Sequence, residues 1–351
     1  MTLLAQPRVS SSDSFDARVY ALTPGNAAFL EKIGAWAAIP AARRVPVHAM
    51  RIYGDQSSML EFDAYGAGVP ALAWIVEDRL LQDALWRELD VEVISAVPEG
   101  LSIREDRVVL ALEGGSELEA KLVVGADGAG SFVRRQAGIA ARESDYGQHA
   151  VVANFRCEKP HANTAYQWFQ RGAVLALLPL SGDHVSMVWS LPTADATLIA
   201  GMNEELGSTV KAATHGALGE LALVTPPRSY PLRRLAAERM VAPRVALAGD
   251  AAHVIHPLAG QGLNLGLQDA RALAGVLSSR EPARDPGELR LLRRYERGRA
   301  EPILAMDTMV DSLFRLFGAQ GGSAARLRNA GLNLTDRLPV VKNMLMRQAM
   351  Q

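Results

Sequence analysis

The sequence predicts an α/β protein: a doubly wound, Rossmann-like domain with a mainly antiparallel β domain inserted into it, and helices at the C-terminus. Three observations carry this. Two short all-apolar runs, LVV at 122–124 and VALA at 245–248, each lead into a glycine–aspartate turn and then a helical pattern. Runs of that kind mark strands covered on both faces of a parallel sheet. Between them, residues 148–192 alternate and are rich in Val, Phe and Trp, as antiparallel strands are. The 351 residues are 49% hydrophobic and 21% charged, enough chain to bury about two cores.

In chain order, Pro24–Ile39 carries Ala27, Leu30, Ile33 and Ala37 at helical spacing. A second helix is expected over Leu72–Leu89, where Leu81, Leu85 and Leu89 stack four residues apart. Short strands follow at 91–94 and 101–105, then a hairpin, VVLALEGGSELEAK, with Gly114-Gly115 at its turn. After the sheet region, residues 244–280 return to strand, turn and helix, with Leu263, Leu267, Ala270, Ala274 and Leu277 expected as the buried stripe. Near the end, Ile303, Met306, Val310, Leu313, Phe314 and Phe317 share one helical face. Packing against the body is the expected role, and lying on a membrane surface the alternative.

Composition narrows the function classes. Formal net charge is −1, from 37 Lys+Arg against 38 Asp+Glu, so no bulk field favours nucleic acid. The single cysteine, Cys157, excludes a disulfide framework and a cysteine metal cluster, and is expected as a small buried hydrophobe in a reducing compartment. No run approaches the ~18 apolar residues of a membrane span. The first residues lack the basic and apolar regions of a signal peptide, so cytoplasm is the expected location.

The chemistry lies in the two turns. In LVVGADGAGSFVRRQAG, a strand reaches Gly125, and Asp127-Gly128 turns into a helix beginning near Ser131. Glycine lets backbone approach a ligand and the helix start offers N–H groups to an anion, although Asp127 also reads as an ordinary capping residue. In the second turn, Gly249-Asp250 places a carboxylate at a strand's carboxyl end, where ligands sit in open α/β sheets. Gly260-Gln261-Gly262 then opens a helix whose N–H groups suit a pyrophosphate or an electron-rich ring edge. Asp250, acceptor-only when ionised, suits a sugar or ribityl hydroxyl. Gln261 and Asn264 also read as capping residues. His253 and His256 have no third ligand nearby, so no metal is expected. No Ser/His/Asp arrangement or carboxylate pair is present, and the catalytic residues stay unassigned.

GADGAGSFVRRQAGI together with ALAGDAAHVIHPLAGQGLNLGLQDA resembles the FAD-dependent aromatic-ring hydroxylases, and more narrowly the hydroxylases of ubiquinone biosynthesis. The narrower likeness adds SFDARVYAL, LLPLSGDHVSMVWSL, LRRYERGRA and GLNLTDRLPVVKNMLMRQAM, and covers nearly the whole chain from about residue 13. The resemblance implies cofactor-binding roles for Arg18, Asp127, Gly128, Gly249, Asp250, Pro257, Gly260, Gln261, Gly262, Leu263 and Asn264. Arg18 would reach the FAD phosphates, Asp127 and Gly128 would serve both FAD and the nicotinamide donor, and Asp250 the ribityl chain. Backbone N–H groups from Gly260 to Asn264 would face the flavin and its pyrophosphate. It further implies FAD, NAD(P)H or another reductant, dioxygen, and hydroxylation of a lipophilic polyprenylated phenol through a flavin hydroperoxide. A ubiquinone-biosynthesis protein complex and peripheral contact with the inner membrane are the partners it suggests. Val174, Leu175, Leu177, Leu178, Val188 and Trp189 read as substrate-pocket lining or as core. A non-catalytic relative serving as a structural or assembly subunit is the alternative.

One departure stands at the front. The family opens with a strand, G-x-G-x-x-G, a helix and a second strand ending in an acid. Here Thr2-Leu3-Leu4 is expected as the tail of that second strand, with Ala5 or Gln6 where the acid would lie. The chain is therefore expected to start about one βαβ unit late, leaving 122–124 and 245–248 without the strand between them. The expected division is 1–45, 72–145 and 236–300 for the FAD-binding domain, 46–71 and 146–235 for the substrate domain, and 301–351 for the C-terminal helical segment.

Overall fold

The computed structural model describes residues 1–6, 14–54, 59–170, 172–256 and 261–318. The chain divides into two compact units, one of residues 1–10, 89–146 and 233–311, the other of 11–88, 147–232 and 312–351. Residues 14–45 and 72–88 thus group with the strand-rich unit, and not with the dinucleotide-binding part where the sequence places them.

In the first unit, Val245–Leu247 is wholly buried. Val123–Gly125 lies beside it in parallel, with Val123 opposite Val245 and Gly125 opposite Leu247. Val241–Ala242 lies antiparallel on its other side. This corrects the expectation of a vacant place between the two apolar runs: they hydrogen-bond to each other directly. Among the described residues the outer strands of this sheet are Val123–Gly125 and Val241–Ala242, and Val124 on the first is exposed. Thr2–Leu4 is a strand as expected and pairs in parallel with Glu92–Ile94. Gly114 and Gly115 make the hairpin turn at φ +87° and +81°, backbone that side chains rarely adopt and that matches the strand twist. The core gathers Val133, Ile139, Val241, Val245, Leu247, Leu273, Leu292 and Tyr295.

The helix Gly262–Ser278 buries Asn264, Leu265, Asp269 and Leu273. Ala270 and Ala274 of the expected stripe are exposed, so the buried face lies on roughly the other side. The cause is polar: two buried side chains of that face, Asn264 and Asp269, are invisible to an apolar count. The long helix Leu289–Gly318 packs through Leu291, Leu292, Tyr295, Ile303 and Val310. The side chains of Leu313, Phe314 and Phe317 lie outside the described set.

In the strand-rich unit the strands run Ala141–Cys157 (paired from Gln148 onward), His184–Pro192, Ala173–Leu180, Thr164–Gln170, Ala49–Tyr53 and Met59–Asp63, in that order across the sheet. Alternation sorts the candidate pocket residues. Leu175, Leu177 and Trp189 enter the core, which also takes Ala196, Ile199, Leu206 and Val210 of two short helices. Val174, Leu178 and Val188 stand on the opposite face, half-buried. Cys157 is buried, as expected, and burial pushes its thiol pKa up. The Leu72–Leu89 expectation is corrected: Ala73–Glu77 is a strand between Val19–Leu22 and Val45–Val47, and the helix is Asp78–Arg87. AWIVE is apolar and β-branched enough to pair on both sides, and tertiary pairing overrides the leucine spacing. No described helix is long and apolar enough to cross a membrane.

Candidate functional site

Parallel pairing of Val123–Gly125 with Val245–Leu247 sends both glycine–aspartate turns out of the same, carboxyl end of neighbouring strands. Asp127-Gly128 and Gly249-Asp250 are thereby brought to one end of one small sheet, although more than a hundred residues separate them in sequence. The two are built differently.

The first turn holds itself. Asp127 Oδ1 accepts from Ser131 Oγ (2.5 Å) and Oδ2 from the Val133 N–H (3.1 Å). Ser131 Oγ in turn accepts from the Arg134 N–H (2.9 Å), capping the helix Phe132–Gln136. Asp127 therefore organises a helix start, the capping role the sequence left open. Gly128, at φ +79°, makes the turn.

The second turn is held from outside. Gly249 sits at φ +59° and Asp250 is exposed. The helix Gly262–Ser278 crosses directly against the turn: a Cβ on Gly266 would come within 3.3 Å of Gly249 Cα, a separation only two glycines permit comfortably. Three buried side chains that sequence reasoning passed over fix it further. Arg134 donates to the carbonyls of Ala251 (Nη1, 2.8 Å) and Ala129 (Nη2, 2.7 Å), tying one turn to the other. Tyr295 Oη donates to the Leu247 carbonyl (2.7 Å), and burial holds its phenol pKa well above the ordinary value, so the donor proton stays. Asp269 accepts from the Gly249 N–H (3.0 Å). In sequence, Arg134 is one of two adjacent arginines, while Tyr295 and Asp269 lie in amphipathic helices, with no local signal to separate them from surface residues.

His253 is engaged with Asp269 (Nε2 to Oδ2, 2.6 Å). His256 is fully buried with Tyr146 edge-on to its ring (centroids 4.7 Å, 84°), and burial pushes its pKa down to about 4. The neutral imidazole is the form this environment holds.

The helix start at Gly262 has no side-chain cap from Gln261, and the Leu265 N–H returns to Gln261 O (3.0 Å). Gln261, Gly262 and Leu263 are half-buried and Asn264 is buried. A helix start without a cap from the Gln261 side chain, on a helix that packs against a turn carrying an exposed carboxylate, fits FAD: the donors suit its oxygens and ring edge, and the acceptor suits its hydroxyls. Pro257 and Gly260 lie outside the described residues. Arg18 belongs to the strand-rich unit, where it is exposed, its guanidinium over the rings of Tyr20 (5.4 Å) and Tyr230 (6.0 Å).

Comparison with known proteins bears on this arrangement. Residues 90–307 match the family described as "FAD binding domain". The chain is 34% identical over 359 residues to 3-demethoxyubiquinol 3-hydroxylase of Escherichia coli (strain K12), covering 99% of this chain and 90% of that one. It is 32% identical to ubiquinone hydroxylase UbiL of Rhodospirillum rubrum, covering 98% and 82%. Among solved structures it shares the fold of pqsL, a probable FAD-dependent monooxygenase from Pseudomonas aeruginosa, with a TM-score of 0.75, 24% identity, and coverage of 95% of this chain and 92% of that one. The chain belongs to the FAD-binding monooxygenase family that contains the ubiquinone hydroxylases.

Proposed function

We propose that this chain is an FAD-dependent monooxygenase that hydroxylates the ring of a polyprenylated phenol in ubiquinone biosynthesis, with NAD(P)H or another reductant as donor and dioxygen as co-substrate. The observation that carries the reading is the packing of the Gly249–Asp250 turn against the helix Gly262–Ser278 at a glycine–glycine crossing, in a chain with a demethoxyubiquinol hydroxylase and a ubiquinone hydroxylase among its relatives, at 34% and 32% identity. When bound, FAD supplies the activation of dioxygen that no side chain offers.

The chain's own residues bind, orient and exclude water. Asp250 would hold hydroxyls of the bound flavin, and the Gly262–Asn264 backbone would offer it N–H donors. Arg18 is the proposed phosphate partner. Gly128 and Asp127 shape the neighbouring turn. The half-buried face carrying Val174, Leu178 and Val188 offers an apolar bed for the phenol and its tail; a water-poor surface there keeps reduced oxygen from being lost as peroxide. Peripheral contact with a membrane, where such a substrate dissolves, and membership of a biosynthetic complex belong to the same proposal.

Purified chain mixed with FAD, NAD(P)H and a short-chain prenylphenol tests it. The expected result is quenching of flavin fluorescence and phenol-dependent oxygen uptake with a hydroxylated product. A colourless protein that gains no thermal stability from FAD would overturn it.

A further inference from the structure

The Gly249–Asp250 turn and the helix starting at Gly262 meet at one buried carboxylate. Asp269, wholly buried on that helix, accepts from the Gly249 N–H (3.0 Å) and His253 Nε2 (2.6 Å) with Oδ2. Its Oδ1 accepts from Arg299 Nε (2.6 Å), and Arg299 Nη2 reaches Leu265 O (3.3 Å) on the same helix. Arg299 is itself buried, so both charges have left water. The pair joins the helix Gly262–Ser278 to the helix Leu289–Gly318, and a buried ion pair is a poor way to glue two helices together, because an apolar pair of similar volume holds as well or better. An apolar pair offers no acceptor to the Gly249 N–H. That hydrogen bond fixes the peptide entering Gly249, at φ +59°, and so sets the direction in which the next residue, Asp250, leaves the strand.

We infer that Asp269 is a positioning residue for the flavin, holding the Asp250 turn in register with the Gly262–Asn264 helix start so that both engage one FAD. Arg299 and His253 orient the carboxylate through their hydrogen bonds, with the Gly249–Gly266 crossing as the pivot. The inference rests on the reading of these two segments as the flavin-binding ones.

Two double variants test it, both without the buried ion pair. Asp269→Asn/Arg299→Met keeps an oxygen acceptor for Gly249, whereas Asp269→Leu/Arg299→Met removes it. FAD affinity is read by quenching of flavin fluorescence, and folding by melting of the flavin-free chain. The Asn/Met protein is expected to bind FAD within about threefold of the parent, and the Leu/Met protein about tenfold or more weakly, at similar melting temperatures. Equal affinities in the two overturn the inference, as does a shift in melting with none in affinity, which is what a merely structural carboxylate gives. Asp269→Val/Arg299→Met stands in should the Leu/Met chain fail to fold. If neither acceptor-free chain folds while Asn/Met does, Asp269 serves folding and the inference falls. A parent chain that leaves flavin fluorescence unchanged overturns the flavin reading itself, a separate outcome.

Discussion

Asp127 and Asp250 are the same residue type, two and three residues past the paired ends of neighbouring strands, and their surroundings give them different work. Both oxygens of Asp127 are engaged with its own turn, so Asp127→Ala is expected to lower stability by about 1 kcal/mol, read by chemical denaturation. Asp250 is exposed at the strand end, so Asp250→Ala is expected to weaken FAD binding about tenfold, read by quenching of flavin fluorescence. His256 adds a pH dependence. Its folded-state pKa of about 4 lies below the ordinary 6.5, so between those values the unfolded chain binds a proton that the folded chain does not. Stability contributed this way is complete above pH 6.5 and falls as pH drops toward 4, by at most ~1.4 kcal/mol per unit. His256→Gln should flatten that slope in urea titrations run between pH 7 and 5, and an unchanged slope would count against the assignment.

At the scale of elements, glycines show how packing decides the sign of one substitution. Gly207 lies buried in the helix Leu206–Ala213, where a Cβ would run into the Leu221 carbonyl oxygen of the strand Leu221–Leu223. Gly207→Ala is expected to cost ~2 kcal/mol net, because the backbone clash outweighs the gain in helix propensity. Gly298, in the helix Leu289–Gly318, has nothing near its missing Cβ. Gly298→Ala is expected to stabilise by ~0.5–1 kcal/mol, and thermal melts of the two variants should move in opposite directions. Elements also show where the sequence was legible. The alternation of 148–192 and the Gly114-Gly115 hairpin were readable because each signal is local. Ala73–Glu77 was not, since its strand state depends on two partners far along the chain. The buried face of Gly262–Ser278 was misplaced because Asn264 and Asp269 face inward with partners that no periodicity reveals.

For the whole molecule, each of the two units has its own buried core, and the elements assigned to FAD other than Arg18 lie in the first. Ligand that binds only the folded state adds RT ln(1 + [L]/Kd), about 2.7 kcal/mol at a hundredfold excess over Kd. Saturating FAD is therefore expected to raise the melting temperature by a few degrees, measured by scanning calorimetry against NAD(P)H as control. By itself the sequence determined the fold class, the family and the two glycine–aspartate turns, because these are short runs whose chemistry is complete within about twenty residues. Only the tertiary structure decided that 122–124 and 245–248 pair directly, that Asp127 caps a helix, and that Arg134, Asp269 and Tyr295 hold the Asp250 turn. Those are hydrogen bonds to backbone groups, many of them distant in the chain, and a donor or acceptor in sequence carries no record of which peptide it will meet.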